Sequence, residues 1–344
     1  MKNNENKEFL NSILSNSLGS KNYSSDISFN HFEDYKKELL EKHKNQSLYD
    51  IEGSIKNEND YGFNLKITSS EKIDFHIMEC NFKENLSKNL KLIPGVGPSK
   101  EEKLKEKGFN DLKDLSSHKT YSNSAEKLLN IIENNSFFEI FKLLKENKYS
   151  KECKDNLIKS LSLVESENFK FMDIETLGLL NCPIILIGVA EIKKDNIITS
   201  QYFLEDKSQE KSVISSYLSH IDEDSIHVTF NGASFDIPFI KNRASYYNLD
   251  CNLNHAHFDL VHPARSLWKN KLPNCKLTTI EKEIFNMKRE NDVPGSEIPD
   301  YYETYLNKNN IGPVIPIIEH HRQDIVSLAS FLMKIYYETL NNLG

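Results

Sequence analysis

The feature that most constrains the fold is the order of strand-like and helix-like segments after residue 168. The first three strands are joined by short turns, which predicts an antiparallel meander, and later strands alternate with helices. The chain is therefore expected to form an α/β fold with a mixed sheet flanked by helices. Strands are predicted at 169–175, 183–192, 196–204, 225–231 and 256–261, and helices at about 208–221, 235–247 and 314–340.

The first half of the chain has a different organisation. Residues 1–48 are polar and are predicted to be a partly disordered arm with one helix at 31–43. Residues 49–80 alternate around turn signals and predict a small β element of two or three strands. Residues 88–150 are predicted to form an all-α domain, and residues 165–344 the α/β domain.

The strand Phe169–Thr176, with the sequence FKFMDIET, places two acids one residue apart. Alternation puts Asp173 and Glu175 on the same face as two phenylalanines that belong in a core. Burial of two uncompensated carboxylates is costly, so a divalent metal ion is the expected partner. The alternative is that the strand simply ends in solvent at this pair.

Two further acids occur at places where an acid needs an explanation. Asp236 begins a helix directly after a strand, where an acid near a helix N-terminus is also common for electrostatic reasons. His320 and Asp324 are four residues apart on the last helix, on one face next to apolar side chains. The alternative for them is an ordinary surface His–Asp pair.

These motifs resemble a known group of nucleases. DIET, NGASFD and HHRQD look like the three exonuclease motifs of the DEDD superfamily, the DnaQ-like 3′–5′ exonucleases. The segment HFDLVHPARSLWKNKLPNCKLTTIEKEIFNMKRENDVPGSEIP resembles the YprB-type ribonuclease-H-like exonuclease domain. The resemblance covers about residues 169–338 and implies a ribonuclease-H-like fold.

The resemblance also implies roles for individual residues. The metal ligands, for two Mg²⁺ or Mn²⁺ ions, would be Asp173, Glu175, Asp236 and Asp324. His320 would be the general base with an ordinary pKa near 6.5, and His321 is the alternative. The spacing departs from the family, because one subtype has Y-x-x-x-D and the other H-x-x-x-x-D. Substrate would be contacted by Asn231 and Phe235.

Three more residues near these motifs have two interpretations each. Arg289 either contacts a substrate phosphate or pairs with Asp292 in the same loop. Asp259 ends a strand and either supports the site or caps local backbone. Trp268 is expected to be a core residue instead of a stacking platform for bases.

The stretch LIPGVGPSKEEKL at 92–104 resembles a helix-hairpin-helix motif, a module that binds DNA. Gly95 and Gly97 would let backbone approach a phosphate, and Lys100 would add positive charge. Pro98, which has no N–H, and Glu101, which stands where a small residue is usual, depart from the motif. The alternative is a tight helix–helix turn that serves only packing.

Composition limits the remaining possibilities. The net charge of −8 argues against a general nucleic-acid binder, although residues 90–150 carry 11 Lys and 9 acids. The N-terminus has no secretory signal and the five cysteines show no C-x-x-C, so a cytoplasmic protein with no membrane segment and no nucleotide cofactor is expected. The expected substrate is a single-stranded 3′ end of DNA or RNA. The alternatives are a structure-specific endonuclease or an inactive nucleic-acid-binding scaffold.

Overall fold

The computed structural model describes residues 25–134, 137–146, 151–289 and 292–341. Seven strands form one sheet in the order β1-β2-β5-β4-β3-β6-β7. Strands β6 and β7 run parallel to β3, and all other neighbours are antiparallel. The strands are β1 (Ser54–Asn59), β2 (Gly62–Lys72), β3 (Phe169–Thr176), β4 (Ile184–Lys193), β5 (Asn196–Phe203), β6 (Ile226–Thr229) and β7 (Ala256–Asp259).

Helices cover both faces of this sheet and fill most of residues 82–159. Among the described helices, none is long and apolar enough to cross a membrane. The α-helices are α1 (Ser25–Lys42), α2 (Phe82–Ser87), α3 (Pro98–Glu106), α4 (Leu112–Leu115), α5 (Ser122–Glu133), α6 (Phe137–Glu146), α7 (Lys151–Lys159), α8 (Glu210–Leu218), α9 (Asp236–Tyr246), α10 (Val261–Trp268), α11 (Leu277–Phe285), α12 (Ile298–Lys308) and α13 (Val314–Asn341).

The predicted fold class is confirmed, because β3, β4 and β5 form the antiparallel meander and β6 and β7 extend it in parallel. Each face of the sheet has its own hydrophobic core, as the alternation in β3 requires. Met172 and Ile174 pack in the core that includes α8, α9 and α12. Phe169 and Phe171 pack in the other core, against α13. Trp268 is also buried in this second core, as expected.

The predicted β element exists, but it is not a separate sheet. Strand β2 pairs with β5 from Leu65↔Phe203 to Lys72↔Asn196, so the β1–β2 hairpin extends the main sheet. Leu65 and Ile67 are buried in the first core. The sequence could not place this hairpin because the strand it pairs with lies far along the chain.

The helix predicted at 31–43 is present as α1, but it is not part of a loosely ordered arm. Helix α1 packs on the α/β domain: Leu39 is buried in the first core, and Lys36 forms an ion pair with Asp300 of α12. The backbone carbonyl of Phe32 accepts a hydrogen bond from the Tyr301 hydroxyl at 3.1 Å. The disorder predicted for the earlier residues, 1–24, lies outside the described part of the chain.

The helical segment has a third core of its own, formed by buried side chains between Phe82 and Leu144. It is attached to the α/β domain through aromatic side chains of α6. The ring of Phe141 contacts the ring of Phe258 on β7 edge-on, with 5.4 Å between centroids. The helical part therefore lies against the edge of the sheet that contains β7.

Candidate active site

The position of α13 depends on a close approach to strand β4. Gly188 lies under the helix, where a Cβ atom would overlap the side chains of Ile325 and His321. The His321 ring is fully buried; its Nε2 donates to the carbonyl of Asp173 at 2.9 Å, and its Nδ1 accepts from Gln201 at 2.9 Å. Burial lowers the pKa of His321 to about 3, so this ring is a neutral, structural link between helix and sheet.

Strand β3 and helix α9 bring three of the predicted acids together. Asp173 and Glu175 are on one face of β3, and their side chains remain 24% and 13% exposed. Asp236 is buried at the start of α9, and its Oδ1 accepts a hydrogen bond from the Ile174 N–H at 3.1 Å. That bond fixes the strand-to-helix junction against β3, so three carboxylates from two elements share one region.

Helix α13 adds Asp324 and His320 to the same region. The His320 Nε2 is 3.6 Å from Asp324 Oδ2 and 3.8 Å from Glu175 Oε1. Its Nδ1 is 2.6 Å from Asp292 Oδ1. If Nδ1 carries a proton, it donates to Asp292, and Nε2 then faces the acids. His320 therefore points into the carboxylate cluster, whereas the adjacent His321 points into the sheet.

Arg289 also lies in the cluster, with its side chain only 11% exposed. Its Nε and Nη2 donate to Glu281 at 2.6 and 2.7 Å, and Nη2 also donates to Asp324. Its Nη1 is 3.7 Å from Asp292 Oδ1. The expected pairing with Asp292 is therefore the weakest of its contacts, and Glu281 and Asp324 are its principal partners.

The carboxylates carry more negative charge than their surroundings balance. Burial, reinforced by repulsion from Asp236, Asp324 and Glu175, raises the pKa of Asp173 well above its usual range. Burial, reinforced by repulsion from Asp324 and Asp236, raises the pKa of Glu175 to about 8. Burial, reinforced by repulsion from Asp259 and Asp324, raises the pKa of Asp236 to about 7. The pKa of Asp324 is raised by burial in spite of the nearby positive charges of His320 and Arg289. The cluster thus favours the binding of cations or protons.

The environment of His320 differs from the expected ordinary one. Burial alone would lower its pKa, but the hydrogen bond to Asp292 and the charges of Asp324 and Glu175 raise it to about 9. The ring is therefore protonated at neutral pH in the metal-free protein. The sequence could not predict this shift because Asp292 comes from a distant loop.

The donor set fits a hard divalent cation in its chemistry. Four carboxylates with excess negative charge are typical ligands of Mg²⁺ or Mn²⁺. In the described part of the chain, however, no group of three or more His, Cys, Asp or Glu side chains is arranged so that it could hold a metal ion as it stands. Of the four acids, Asp324 is the one paired with Arg289.

The loop between β6 and α9 supports the site through its backbone. Asn231 has a left-handed backbone with φ 72° and an exposed side chain, and Phe235 is half-buried against Phe239. The Asp259 carboxylate accepts from the backbone N–H groups of Asn231 and Ala233 at 2.7 and 3.1 Å. Asp259 therefore caps this loop, one of its two expected roles, and its charge also helps to raise the pKa of Asp236.

Glu281 is a residue of the site whose role the sequence did not reveal. It is buried on α11 with 1% exposure, pairs with Arg289, and accepts a hydrogen bond from Ser327 of α13. An acid directly after Ile280 on an apolar helical face was the available signal. Its partner could not be inferred, because Arg289 reaches it from the loop that follows the helix.

The hairpin at residues 92–98 has the local geometry of a tight turn before a helix. Gly95 has φ +82°, a conformation that suits glycine, whereas Gly97 is extended and caps α3. The Lys100 Nζ donates to the Gly95 carbonyl at 2.8 Å. Glu101 is buried; it accepts from the Leu90 N–H at 3.2 Å, which explains an acid where a small residue was expected.

Comparison with known proteins agrees with this architecture. Residues 170–336 match the family model described as RNase_H superfamily. The chain is 32% identical over 179 residues to the uncharacterized protein YprB of Bacillus subtilis (strain 168). This similarity covers 51% of the present chain and 43% of YprB, so it spans less than half of that relative. The segment matched by the family model contains all four carboxylates of the cluster.

Proposed function

Since residues 170–336 form a domain of the RNase H superfamily, which suggests nuclease activity, we propose that the chain is a metal-dependent 3′–5′ exonuclease acting on single-stranded ends. The observation that carries the proposal is the gathering of four partly buried acids from β3, α9 and α13. Their raised pKa values indicate negative charge that divalent cations would balance.

Each residue of the cluster has a task in this proposal. The cations would be held by Asp173, Glu175, Asp236 and Asp324. When bound, two such ions lower the pKa of an attacking water and stabilise the leaving oxygen of the phosphodiester. The residual exposure of Asp173, 24%, leaves the cluster accessible to a nucleic-acid end.

His320 is proposed to accept the proton of the attacking water through Nε2, the nitrogen that faces Glu175 and Asp324. Asp292 holds the other ring nitrogen and so orients the ring. The raised pKa of His320 depends on the charges of these carboxylates. When bound cations compensate those carboxylate charges, the pKa of His320 returns toward its ordinary value. His320 therefore becomes a base only in the cation-loaded site.

The direct test uses DNA and RNA oligonucleotides labelled at either the 3′ or the 5′ end and incubated with Mg²⁺. Immediate release of the 3′ label as a mononucleotide is expected. Internal fragments from both labels would instead indicate an endonuclease, and binding without cleavage an inactive scaffold. Both of these outcomes contradict the exonuclease proposal, and the comparison of DNA with RNA identifies the substrate class.

The site itself is tested with Asp173→Asn, which keeps the shape and removes the charge. We expect a loss of at least about 10²-fold in turnover, as for other removals of transition-state stabilisation. Asp224→Asn, at an exposed position in the turn before β6, is the matched control and should retain full turnover. Equal turnover of wild type and Asp173→Asn would refute the site.

We further propose that the hairpin at 92–98 binds the phosphate backbone of DNA in the manner of a helix-hairpin-helix motif. The backbone at Gly97 is exposed and lies next to the N-terminal end of α3, where anions are favoured. Apart from Gly97 itself and its two chain neighbours, no heavy atom lies within 4 Å of the place where a Cβ of Gly97 would be, so a phosphate could approach closely.

Gly97→Val tests the hairpin without straining the backbone. The variant should fold normally, because its φ of −95° suits any residue, and should bind long oligonucleotides more weakly while it cleaves dinucleotides unchanged. Gly95→Val is a less suitable variant, since its positive φ would strain the turn. Unaltered binding of long DNA by Gly97→Val would refute the proposal and leave packing as the role of the hairpin.

A further inference from the structure

The guanidinium of Arg289 occupies the position of a counter-cation in the carboxylate cluster. Glu281 holds it in a bidentate pair at 2.6 and 2.7 Å, and the same Nη2 also contacts Asp324. Glu281 is itself fixed by Ser327, and both residues of this bidentate pair are largely buried. Arg289 is therefore tethered firmly on one side and shared with a metal-ligand candidate on the other.

We propose that Arg289 competes with metal for Asp324, so that full metal loading of the site depends on a substrate phosphate that takes over the guanidinium. The proposal rests on the proposed function and concerns the regulation of that site.

Arg289 can exchange Asp324 for a phosphate because the two anions bind a guanidinium in the same way. A guanidinium binds carboxylate and phosphate oxygens with the same planar geometry, so a phosphate can replace Asp324 as its partner. Glu281 uses Nε and one edge of Nη2, which leaves Nη1 for a second anion. Nη1 lies beside His320 and Asp292, at the side of the cluster that adjoins a cavity of about 260 Å³.

The exchange couples two binding events. A phosphate on Arg289 frees Asp324 for a cation, and a cation on Asp324 frees Arg289 for a phosphate, so each ligand must strengthen the binding of the other. Metal would then be retained fully only when a nucleic-acid end is present. Arg289 is thus a positioning residue that links substrate arrival to completion of the metal site.

The test measures Mn²⁺ binding instead of catalysis, by electron paramagnetic resonance of free Mn²⁺. Thymidine 5′-monophosphate serves as the phosphate probe, with its own Mn²⁺ binding subtracted. In wild type, the nucleotide should tighten Mn²⁺ binding by roughly tenfold, within the usual range for coupled sites. Arg289→Gln should bind Mn²⁺ tightly without nucleotide, and the nucleotide should add little.

Two further variants separate this effect from simpler ones. Arg265→Gln removes the same charge at an exposed position of α10 that does not line this cavity, and it should keep the wild-type coupling. Arg289→Gln leaves buried Glu281 unpaired, so the double variant Glu281→Gln/Arg289→Gln, in which two amides face each other, guards against misfolding. It should behave like Arg289→Gln.

Some outcomes would overturn the inference. They are Mn²⁺ binding by the double variant no tighter than by wild type, and nucleotide-free Mn²⁺ binding that Arg265→Gln tightens as much as Arg289→Gln does. Failure of the proposed function has a different signature. In that case wild type would bind no Mn²⁺ at all with or without nucleotide, or would bind Mn²⁺ with the predicted coupling and yet cleave neither DNA nor RNA.

Discussion

Two adjacent histidines show how much a single residue's surroundings decide its role. His321 has both ring nitrogens hydrogen-bonded inside the sheet, and its pKa is lowered to about 3. His320, one position earlier on the same helix, faces three acids, Glu175, Asp292 and Asp324, and has a pKa raised to about 9. The helical repeat turns these neighbours about 100° apart, which is enough to separate a structural ring from a reactive one.

Substitution of these histidines should separate stability from activity. His320→Asn should lower turnover by about 10²-fold or more with little change in the unfolding free energy, as expected for the loss of a general base. His321→Asn should cost about 1–3 kcal/mol of stability, since Gln201 and the Asp173 carbonyl lose a buried partner. Thermal unfolding measures the effect on stability, and oligonucleotide turnover measures the effect on activity. If His320→Asn mainly lowered stability and His321→Asn mainly lowered turnover, His321 and not His320 would be the reactive histidine.

The shifted pKa values predict that the metal-free protein loses stability as the pH rises. The pKa of Glu175 rises from 4.5 to about 8 on folding, and that of His320 rises from 6.5 to about 9. Between its two pKa values, each group therefore binds more protons in the folded protein than in the unfolded chain. Above pH 6.5, where the buried His227, His257 and His321 with their lowered pKa values are neutral in both states, the unfolding free energy must therefore fall with rising pH. Urea unfolding in EDTA between pH 6.5 and 9 should show this decline.

Glu175→Gln is the variant that checks the cause. It removes one member of the cluster, so the decline between pH 6.5 and 8 should flatten, and the variant should exceed wild type in stability at pH 8. Addition of Mg²⁺ should raise the stability of wild type more than that of the variant. If the unfolding free energies of wild type and Glu175→Gln depended on pH in the same way, the carboxylate cluster would not be the cause of the decline.

At the scale of elements, the approach of α13 to β4 fixes the geometry of the site. Gly188→Ala would place a methyl group against Ile325 and His321, so these side chains or the helix that carries them must shift. We expect a loss of about 1–3 kcal/mol, typical of overpacking, together with reduced turnover. Gly178→Ala, whose nearest contact would be an ordinary 3.5 Å to Cys182, is the control, and equal stability of the two variants would contradict this account.

The elements also show which parts of the site the sequence can predict. The period of a strand places Asp173 and Glu175 on one face, and the period of a helix places His320 over Asp324; both rules are local. The pairing of Arg289 depends on the path of a loop, and no local period encodes such a path. The sequence therefore predicted the acids, but not the cation that balances one of them.

At the scale of the whole molecule, the sheet joins parts of the chain that are distant in sequence. The β1–β2 hairpin and α1 contribute to the core of the α/β domain, so residues 165–344 alone lack part of that core. The sequence predicted the hairpin itself, because its alternation and turn are local. Its pairing with β5 was not predictable, since any exposed strand edge offers the same backbone groups.

This arrangement predicts that the hairpin stabilises the α/β domain. Leu65→Ala, at a fully buried position, should cost about 2–5 kcal/mol in unfolding free energy. Ile55→Ala, on the adjacent strand with 54% exposure, should change it by less than about 0.5 kcal/mol. Chemical denaturation of both variants is the measurement, and equal effects would mean that the hairpin is not part of the cooperative core.

The claim on which the account depends is that the four carboxylates jointly bind divalent cations. Anomalous diffraction from crystals grown with Mn²⁺ and thymidine 5′-monophosphate tests it most directly. We predict manganese peaks within bonding distance of Asp173 and of Asp324, with Arg289 turned from Asp324 to the phosphate. A map without manganese at the cluster, and with Asp324 still paired to Arg289, would contradict the account.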